Sequence, residues 1–321
     1  MKIERLKDAD IPLYDQLAWQ NGTLFNTTNW LRLFDRAVKL YGFYDDGSNL
    51  MGGYHLYEES RFALTICTNA PFTPGIGPFL RIDSQNRVVV MEKWKRALAL
   101  MADHLENLSY AVVSISLNRS VVDTQPFIWK RNKVSPRYTY VIDLRKPLDE
   151  IWRDMSPERR RSITKGTKDG LITEQVIDHK CIKASVIETF LRQGKKINEY
   201  YLDKVLGEFA AEENSFAFVT RRGDMPIATS FCVHDAVTAY YLLGGYAHEN
   251  KHHGAGPLCL WKSIEHGQRI GLKHFDFEGS MVPGIEKYFR GFGGELVPYY
   301  RISKAKLPLE MLLKLFKRDL F

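Results

Sequence analysis

The feature that most constrains the fold is a strand, glycine-rich loop, helix and strand in immediate succession late in the chain. Ala236–Gly245 reads as a strand, Lys251–Gly256 (KHHGAG) as a loop, Pro257–Arg269 as a helix and Lys273–Phe277 as a short second strand. Such a succession is a right-handed crossover between neighbouring parallel strands. Pro257 suits the first helical turn, where its missing N–H is not needed. A helix N-terminus preceded by free backbone N–H groups is an anion site. Gly254 and Gly256 would let a pyrophosphate approach the backbone, so Lys251, His252, His253, Gly254, Ala255 and Gly256 form a candidate anion-binding loop. Backbone N–H groups of Leu243, Gly244 and Gly245 are candidates to receive an oxyanion if the strand splays there. Adjacent histidines on a loop lack a third and fourth ligand nearby, so no metal is expected.

The following stretch, Gly271–Gly294, carries the densest chemistry. Its strand alternates His274, Asp276 and Glu278 with apolar residues and so delivers two acids to its end. Gly279, Ser280, Pro283 and Gly284 break the pattern. An aromatic and basic segment, Ile285–Phe292, then folds back with Arg290 and closes on Gly293-Gly294. Acidic and basic groups at a strand's end, beside glycines, are the expected composition of a site.

These residues resemble a known family. Asp276-Phe277-Glu278-Gly279-Ser280, Gly284-Ile285 and Phe289-Arg290-Gly291-Phe292-Gly293-Gly294 are similar to the DFxGS…GI…FKxGFGG ending of the Fem-like acyltransferases, tandem-domain (FemAB-like) members of the GNAT superfamily. Upstream, Phe25–Trp30 is similar to the family's F-x-x-x-x-W opening and Pro71–Pro78 to its P-x-x-P loop. Asp143-Leu144 followed by Arg160, Ser162, Ile163 and Lys165 is similar to its Asp-Leu strand and basic helix. Lys251-x-x-Gly254-x-Gly256 is similar to the Q/R-x-x-G-x-G/A loop that holds coenzyme A pyrophosphate in GNAT enzymes, with Lys in place of Gln or Arg. The main departure is Arg290, where the family usually has a lysine implicated in catalysis.

The resemblance implies an α/β (α+β) chain of two tandem GNAT-like domains, each a mixed, mostly antiparallel central sheet flanked by helices. Residues 1–130 would be a degenerate N-terminal domain and 131–321 the domain with the donor loop, the boundary falling where Pro126 and Pro136 interrupt the pattern. It further implies an acyltransferase whose donor is acyl-CoA or aminoacyl-tRNA. The acceptor would be an amine, on an amino sugar or a lipid-linked or nucleotide-linked peptidoglycan precursor. The glycine loop favours acyl-CoA, as does the lack of a counterpart to the coiled-coil arm of some Fem enzymes.

In the first half, the pattern predicts a helix over Trp30–Leu40, strands Lys39–Tyr44, Leu50–Glu58 and Arg61–Cys67, a long helix Gln85–Leu108 and a strand Tyr110–Ser116. Strand, loop, long helix and strand here repeat the order found later, which suggests a duplicated unit. The second half adds strands Tyr138–Leu144, Leu171–Ile177, Phe216–Arg222 and Met225–His234, and helices at Cys181–Gly194 and Glu199–Glu213. Ser156-Pro157-Glu158 starts a helix, with Ser as N-cap and Pro at its first position.

The 321 residues are 45% hydrophobic and 26% charged, as expected of a globular protein. No apolar run is long enough to cross a membrane, and MKIERLKDAD has no signal core, so the expected compartment is the cytoplasm. Cys67, Cys181, Cys232 and Cys259 are dispersed and read as core residues. A net charge of +7 suits anionic ligands such as coenzyme A, tRNA, nucleotide sugars or a phosphate surface. The last segment, Lys304–Phe321, places Leu309, Leu312, Leu313, Phe316 and Leu320 on one helical face. That face suits packing on the domain or on a second subunit, or docking to a membrane surface.

Acyl transfer to an amine needs a base, oxyanion donors and a route for returning a proton. Glu278 is the first candidate base and Asp276 the second, unless Asp276 caps the turn that follows. Arg290 stays protonated and suits an acceptor phosphate or the oxyanion. Tyr241 or Tyr288 would protonate the leaving group. Gly279, Ser280, Tyr288, Phe289 and Arg160 are the candidate substrate contacts. Two other readings use the same residues: a non-catalytic binding protein for a nucleotide or lipid-linked sugar, and an RNA-binding protein.

Overall fold

A computed structural model describes residues 1–61, 64–247, 251–279 and 281–316. In chain order the strands and helices are β1 (Lys2–Arg5), α1 (Ile11–Asn21), α2 (Thr28–Leu31), β2 (Val38–Tyr44), β3 (Leu50–Arg61), β4 (Leu64–Thr68), β5 (Phe79–Leu80), α3 (Arg87–Asn107), β6 (Val112–Ser116) and α4 (Gln125–Trp129). There follow β7 (Lys133–Asp143), α5 (Leu148–Asp154), α6 (Pro157–Lys168), β8 (Ile172–Val176), α7 (Lys180–Arg192), α8 (Glu199–Asp203), β9 (Ser215–Arg222), β10 (Met225–His234) and β11 (Thr238–Tyr246). The chain continues through α9 (Ala255–Arg269), β12 (His274–Asp276), α10 (Pro283–Arg290), β13 (Glu295–Ala305) and α11 (Leu307–Phe316).

Two compact units result. The first holds Met1–Arg137 and Pro298–Phe321, the second Tyr138–Val297. Residues 298–321, expected with the second domain, therefore group with the first.

In the first unit β1, β2, β3 and β4 run antiparallel in order, β4 lies parallel to β6, and Arg301–Ala305 of β13 close against β6 antiparallel. The β4–α3–β6 crossover buries Ala97, Leu98, Met101, Ala102 and Leu105 of α3 with Val113 and Ile115 of β6. Asn86 caps α3, its Oδ1 accepting from the N–H groups of Val88 and Val89.

The second unit repeats the plan. Here β8, β9, β10 and β11 are antiparallel in order, β11 lies parallel to β12, and β12 pairs antiparallel with β7. The crossover helix α9 packs on β9 and β10, burying Leu258, Cys259, Leu260 and Ile264, while α7 covers the other face. Phe275, Phe277 and Phe292 are almost completely buried in this core. Each such side chain stabilises the fold by about 1.5–3 kcal/mol through removal from water. The fold is the expected one, α/β with mixed, mostly antiparallel sheets.

Two local expectations are corrected, and one strand is new. The helix predicted at Trp30–Leu40 ends at Leu31, and a tight turn with Asp35 at φ 50° leads into β2. A left-handed aspartate cannot continue an α-helix, and Leu33 and Phe34 are buried all the same. The helix predicted at Glu199–Glu213 gives way after Asp203 to a wider turn over Lys204–Phe209. The strand β13 carried no expectation, because Pro298 interrupts its alternation.

Candidate active site

The site residues of the second unit gather where β11 and β12 part. The parallel ladder runs Thr238↔His274, Ala239↔Phe275 and Tyr240↔Asp276 and stops there, although β11 continues to Tyr246. Opposite, Phe231 faces Leu243 and Cys232 faces Tyr241, leaving Leu242 as the extra residue of a β-bulge. Bulge and parting coincide, so Leu243, Gly244 and Gly245 lie on a stretch of β11 with no partner strand toward β12 among the described residues.

Asp276 is buried and accepts from Thr139 Oγ1 at 2.5 Å and from the Glu278 N–H at 2.9 Å. A carboxylate placed so braces the turn, the alternative role open to it in the sequence. Glu278 is half-buried and stands at φ 58°, followed by Gly279 at φ 67°. A side chain at Gly279 would put its Cβ 2.1 Å from the Tyr138 carbonyl oxygen, so this glycine serves passage of the chain against β7, not space for a substrate. Ser280 lies outside the described residues.

Phe289 of α10 is the hub on which the rings converge. It is buried, not presented to a substrate, with its centroid 5.1 Å from Phe277, 5.9 Å from Tyr241 and 5.8 Å from Tyr288. Burial pushes the Tyr241 phenol well above its ordinary range, and Tyr288 nearby pushes it further. Burial likewise raises Tyr288. Both therefore hold their protons at neutral pH. The Tyr288 hydroxyl reaches the start of α9, where a Cβ on Gly256 would stand 3.2 Å from it.

Arg290 faces away from that hub. Its side chain is exposed, and its Nε donates to Glu286 Oε1 at 2.8 Å within α10. Glu286 also accepts from the Tyr140 hydroxyl at 2.5 Å, and the two donors hold its carboxyl below the usual range. Missed in the sequence is Arg159. Its guanidinium lies 4.2 Å from the Tyr288 ring centroid and 4.9 Å from that of Phe292, and donates to the Tyr288 carbonyl. Within a run of three arginines only the helical register separates this stacked residue from its neighbours.

The candidate donor loop is closed from within. His252 is buried, its Nε2 2.9 Å from Asp169 Oδ2 and its Nδ1 accepting from the Gly254 N–H at 3.0 Å. The Ala255 N–H donates to the His252 carbonyl, and the Tyr246 hydroxyl bridges the His252 backbone. A Cβ on Gly254 would meet the Ser162 carbonyl oxygen at 2.4 Å and Gly166 Cα at 2.7 Å. The N–H groups of Gly254 and Ala255 are thus taken, and the missing side chain of Gly254 admits the backbone of α6. His253 and Lys251 are exposed.

Arg160 lies on α6, its Nη1 donating to the Arg153 carbonyl. With Trp152, Arg161, Lys165 and Lys168 it lines a groove of about 530 Å³. Asp169 at its edge is held by His252 and Lys165, which lower its carboxyl from 3.8. Neither Arg161 nor Lys168 has a carboxylate partner among the described residues, so the groove is net cationic. No group of three or more His, Cys, Asp or Glu is placed to hold a metal among the described residues.

Residues 190–290 match the model of the acetyltransferase (GNAT) domain. No curated protein matches the sequence. Among solved structures, FemX superposes with a TM-score of 0.68 at 14% identity, covering 98% of this chain and 100% of its own. L-PGS from Bacillus licheniformis gives 0.54 at 13%, covering 97% and 96%. A tandem GNAT protein from the clavulanic acid biosynthesis pathway gives 0.53 at 12%, covering 94% and 97%. The acetyltransferase (GNAT) domain model thus falls across the crossover of the second unit, and the fold of FemX extends over the whole length of the chain.

Proposed function

We propose that the second unit transfers an acyl group from an activated ester or thioester to a neutral amine. The observation that carries this reading is the parting of β11 and β12 at Tyr240↔Asp276, with the bulge at Leu242 on one strand and Glu278 at the end of the other. In this reading the amine nitrogen attacks the acyl carbon and its proton passes to the Glu278 carboxylate. Backbone N–H groups of Leu243–Gly245 receive the tetrahedral oxyanion. The bond to the leaving oxygen or sulfur then breaks, and Tyr241 protonates the leaving atom. Arg290, exposed beside Glu286, serves a phosphate on the acceptor.

One observation favours aminoacyl-tRNA over acyl-CoA as the donor. The Gly254 and Ala255 N–H groups, two of the loop's candidate anion donors, already serve His252. Cations without a carboxylate partner among the described residues lie instead along α6, where Arg161 and Lys168 suit an extended phosphodiester. The Fem resemblance implies the same donor, with a peptidoglycan precursor as acceptor.

Labelled acetyl-CoA and labelled aminoacyl-tRNA, each offered with amino sugars and nucleotide-linked muropeptides, test both statements. Label moving from tRNA to an amine supports the whole reading. Label moving from coenzyme A overturns the donor choice and keeps the reaction. No transfer from either, with an acceptor bound, favours the non-catalytic protein.

A further inference from the structure

The helix α11 turns its apolar side outward. None of its residues is buried. Leu307 is 77% exposed, Met311 66%, Leu315 68% and Phe316 75%, while Leu309, Glu310 and Leu313 are half-buried and face the first unit. At 100° per residue, Leu307, Met311 and Leu315 form one continuous stripe, widened by Leu312 and Phe316. This corrects the face expected from the sequence, which grouped Leu309 and Leu313 with Leu312 and Phe316; Leu320 lies outside the described residues. The surrounding charge is cationic. Among the described residues Lys304, Lys306 and Lys314 stand against Glu310, and Lys304 is paired with Glu106. Glu310 is already paired with Lys314 at 2.6 Å. An outward apolar stripe of this size is unusual on a water-facing helix and marks an interaction surface.

We propose that α11 docks the protein onto the surface of an anionic phospholipid bilayer, lying in the interface with Leu307, Met311, Leu312, Leu315 and Phe316 among the acyl chains. Charge complementarity selects this occupant. The apolar stripe alone would suit any greasy partner, but a stripe bordered by an excess of lysines matches acyl chains beneath anionic headgroups. Trp129 and Ile128, both exposed, precede Lys130, whose carbonyl accepts from Lys304 just before α11.

The test is flotation of the full-length chain with phosphatidylcholine vesicles, with and without phosphatidylglycerol, at low and high salt. The expected result is binding to the mixed vesicles that weakens at least roughly tenfold without the anionic lipid or at high salt. Met311→Glu/Leu315→Glu, at exposed positions, abolishes the binding and leaves the melting temperature unchanged. Lys306→Gln/Lys314→Gln retains weak binding and loses the preference for phosphatidylglycerol. Failure of the wild-type chain to float, or equal flotation of the glutamate variant, overturns the proposal. So does concentration-dependent dimerisation removed by the same glutamates with no vesicle binding, which would assign the stripe to a second copy of the chain.

Discussion

The hydroxyl of Tyr241 fills the space that a side chain at Gly244 would need, 1.7 Å from the Cβ position of that residue. The bulge at Leu242 brings these two residues of one strand onto the same side. Gly244→Ala must therefore displace the Tyr241 hydroxyl. If Tyr241 protonates the leaving group, Gly244→Ala and Tyr241→Phe each lower kcat by roughly 10²-fold, with little change in acceptor KM. Steady-state kinetics decide it, and unchanged turnover in both removes the phenol from the mechanism.

Glu278 holds a left-handed backbone conformation that costs a non-glycine residue of order 1 kcal/mol. Glycine would relieve that strain but gain freedom in the unfolded chain, and the two effects nearly cancel. Glu278→Gly is thus expected to melt within about 1 kcal/mol of wild type and to lose roughly 10²–10⁴-fold in kcat. Glu278→Gln should lose as much while keeping the wild-type backbone. A large stability change in Glu278→Gly with activity retained would mark the residue as structural.

Gly254 faces the backbone of α6, where Ser162 O and Gly166 Cα cannot withdraw as a flexible side chain would. Gly254→Ala should therefore destabilise the second unit by roughly 1–3 kcal/mol through overpacking. Chemical denaturation with and without donor separates this from a binding effect. A variant that is fully stable yet blind to coenzyme A would restore the loop as a pyrophosphate site.

His55 is buried in the first unit with neither ring nitrogen hydrogen-bonded among the described residues, and burial depresses its pKa from 6.5 to about 3. Below pH 6.5 the unfolded chain takes up a proton that the folded chain refuses. Stability then falls with pH at up to about 1.4 kcal/mol per unit, until about pH 3. His55→Leu should remove that slope, read from denaturation midpoints between pH 7 and pH 4. Identical slopes would mean that the folded site accepts the proton.

The crossover was legible because it is local. The alternation of Lys273–Phe277, the breakers of Lys251–Gly256 and the proline of α9 lie within one stretch, and the structure follows them closely. The ring hub at Phe289 was not, since a buried phenylalanine and a substrate-facing one read alike. The role of His252 depends on Asp169, distant in sequence, and its neighbour His253 is exposed. Asp276 was ambiguous for a related reason: bracing a turn and acting as a base both place a carboxylate at a strand's end, and only Thr139 across the ladder distinguishes them.

In the first unit the edge of β6 is closed by Arg301–Ala305, while in the second the corresponding edge of β12 is closed by Asp143, Ile142 and Val141. During synthesis the residues that complete the second sheet leave the ribosome before the strands they join, whereas those that complete the first leave long after all the others. The first unit must wait with an open strand edge until nearly the whole chain is made. Such an edge invites wrong pairing. Once residue 297 has emerged from the ribosome, the second unit has every strand in hand and the first still lacks one, so the part translated first is the part finished last.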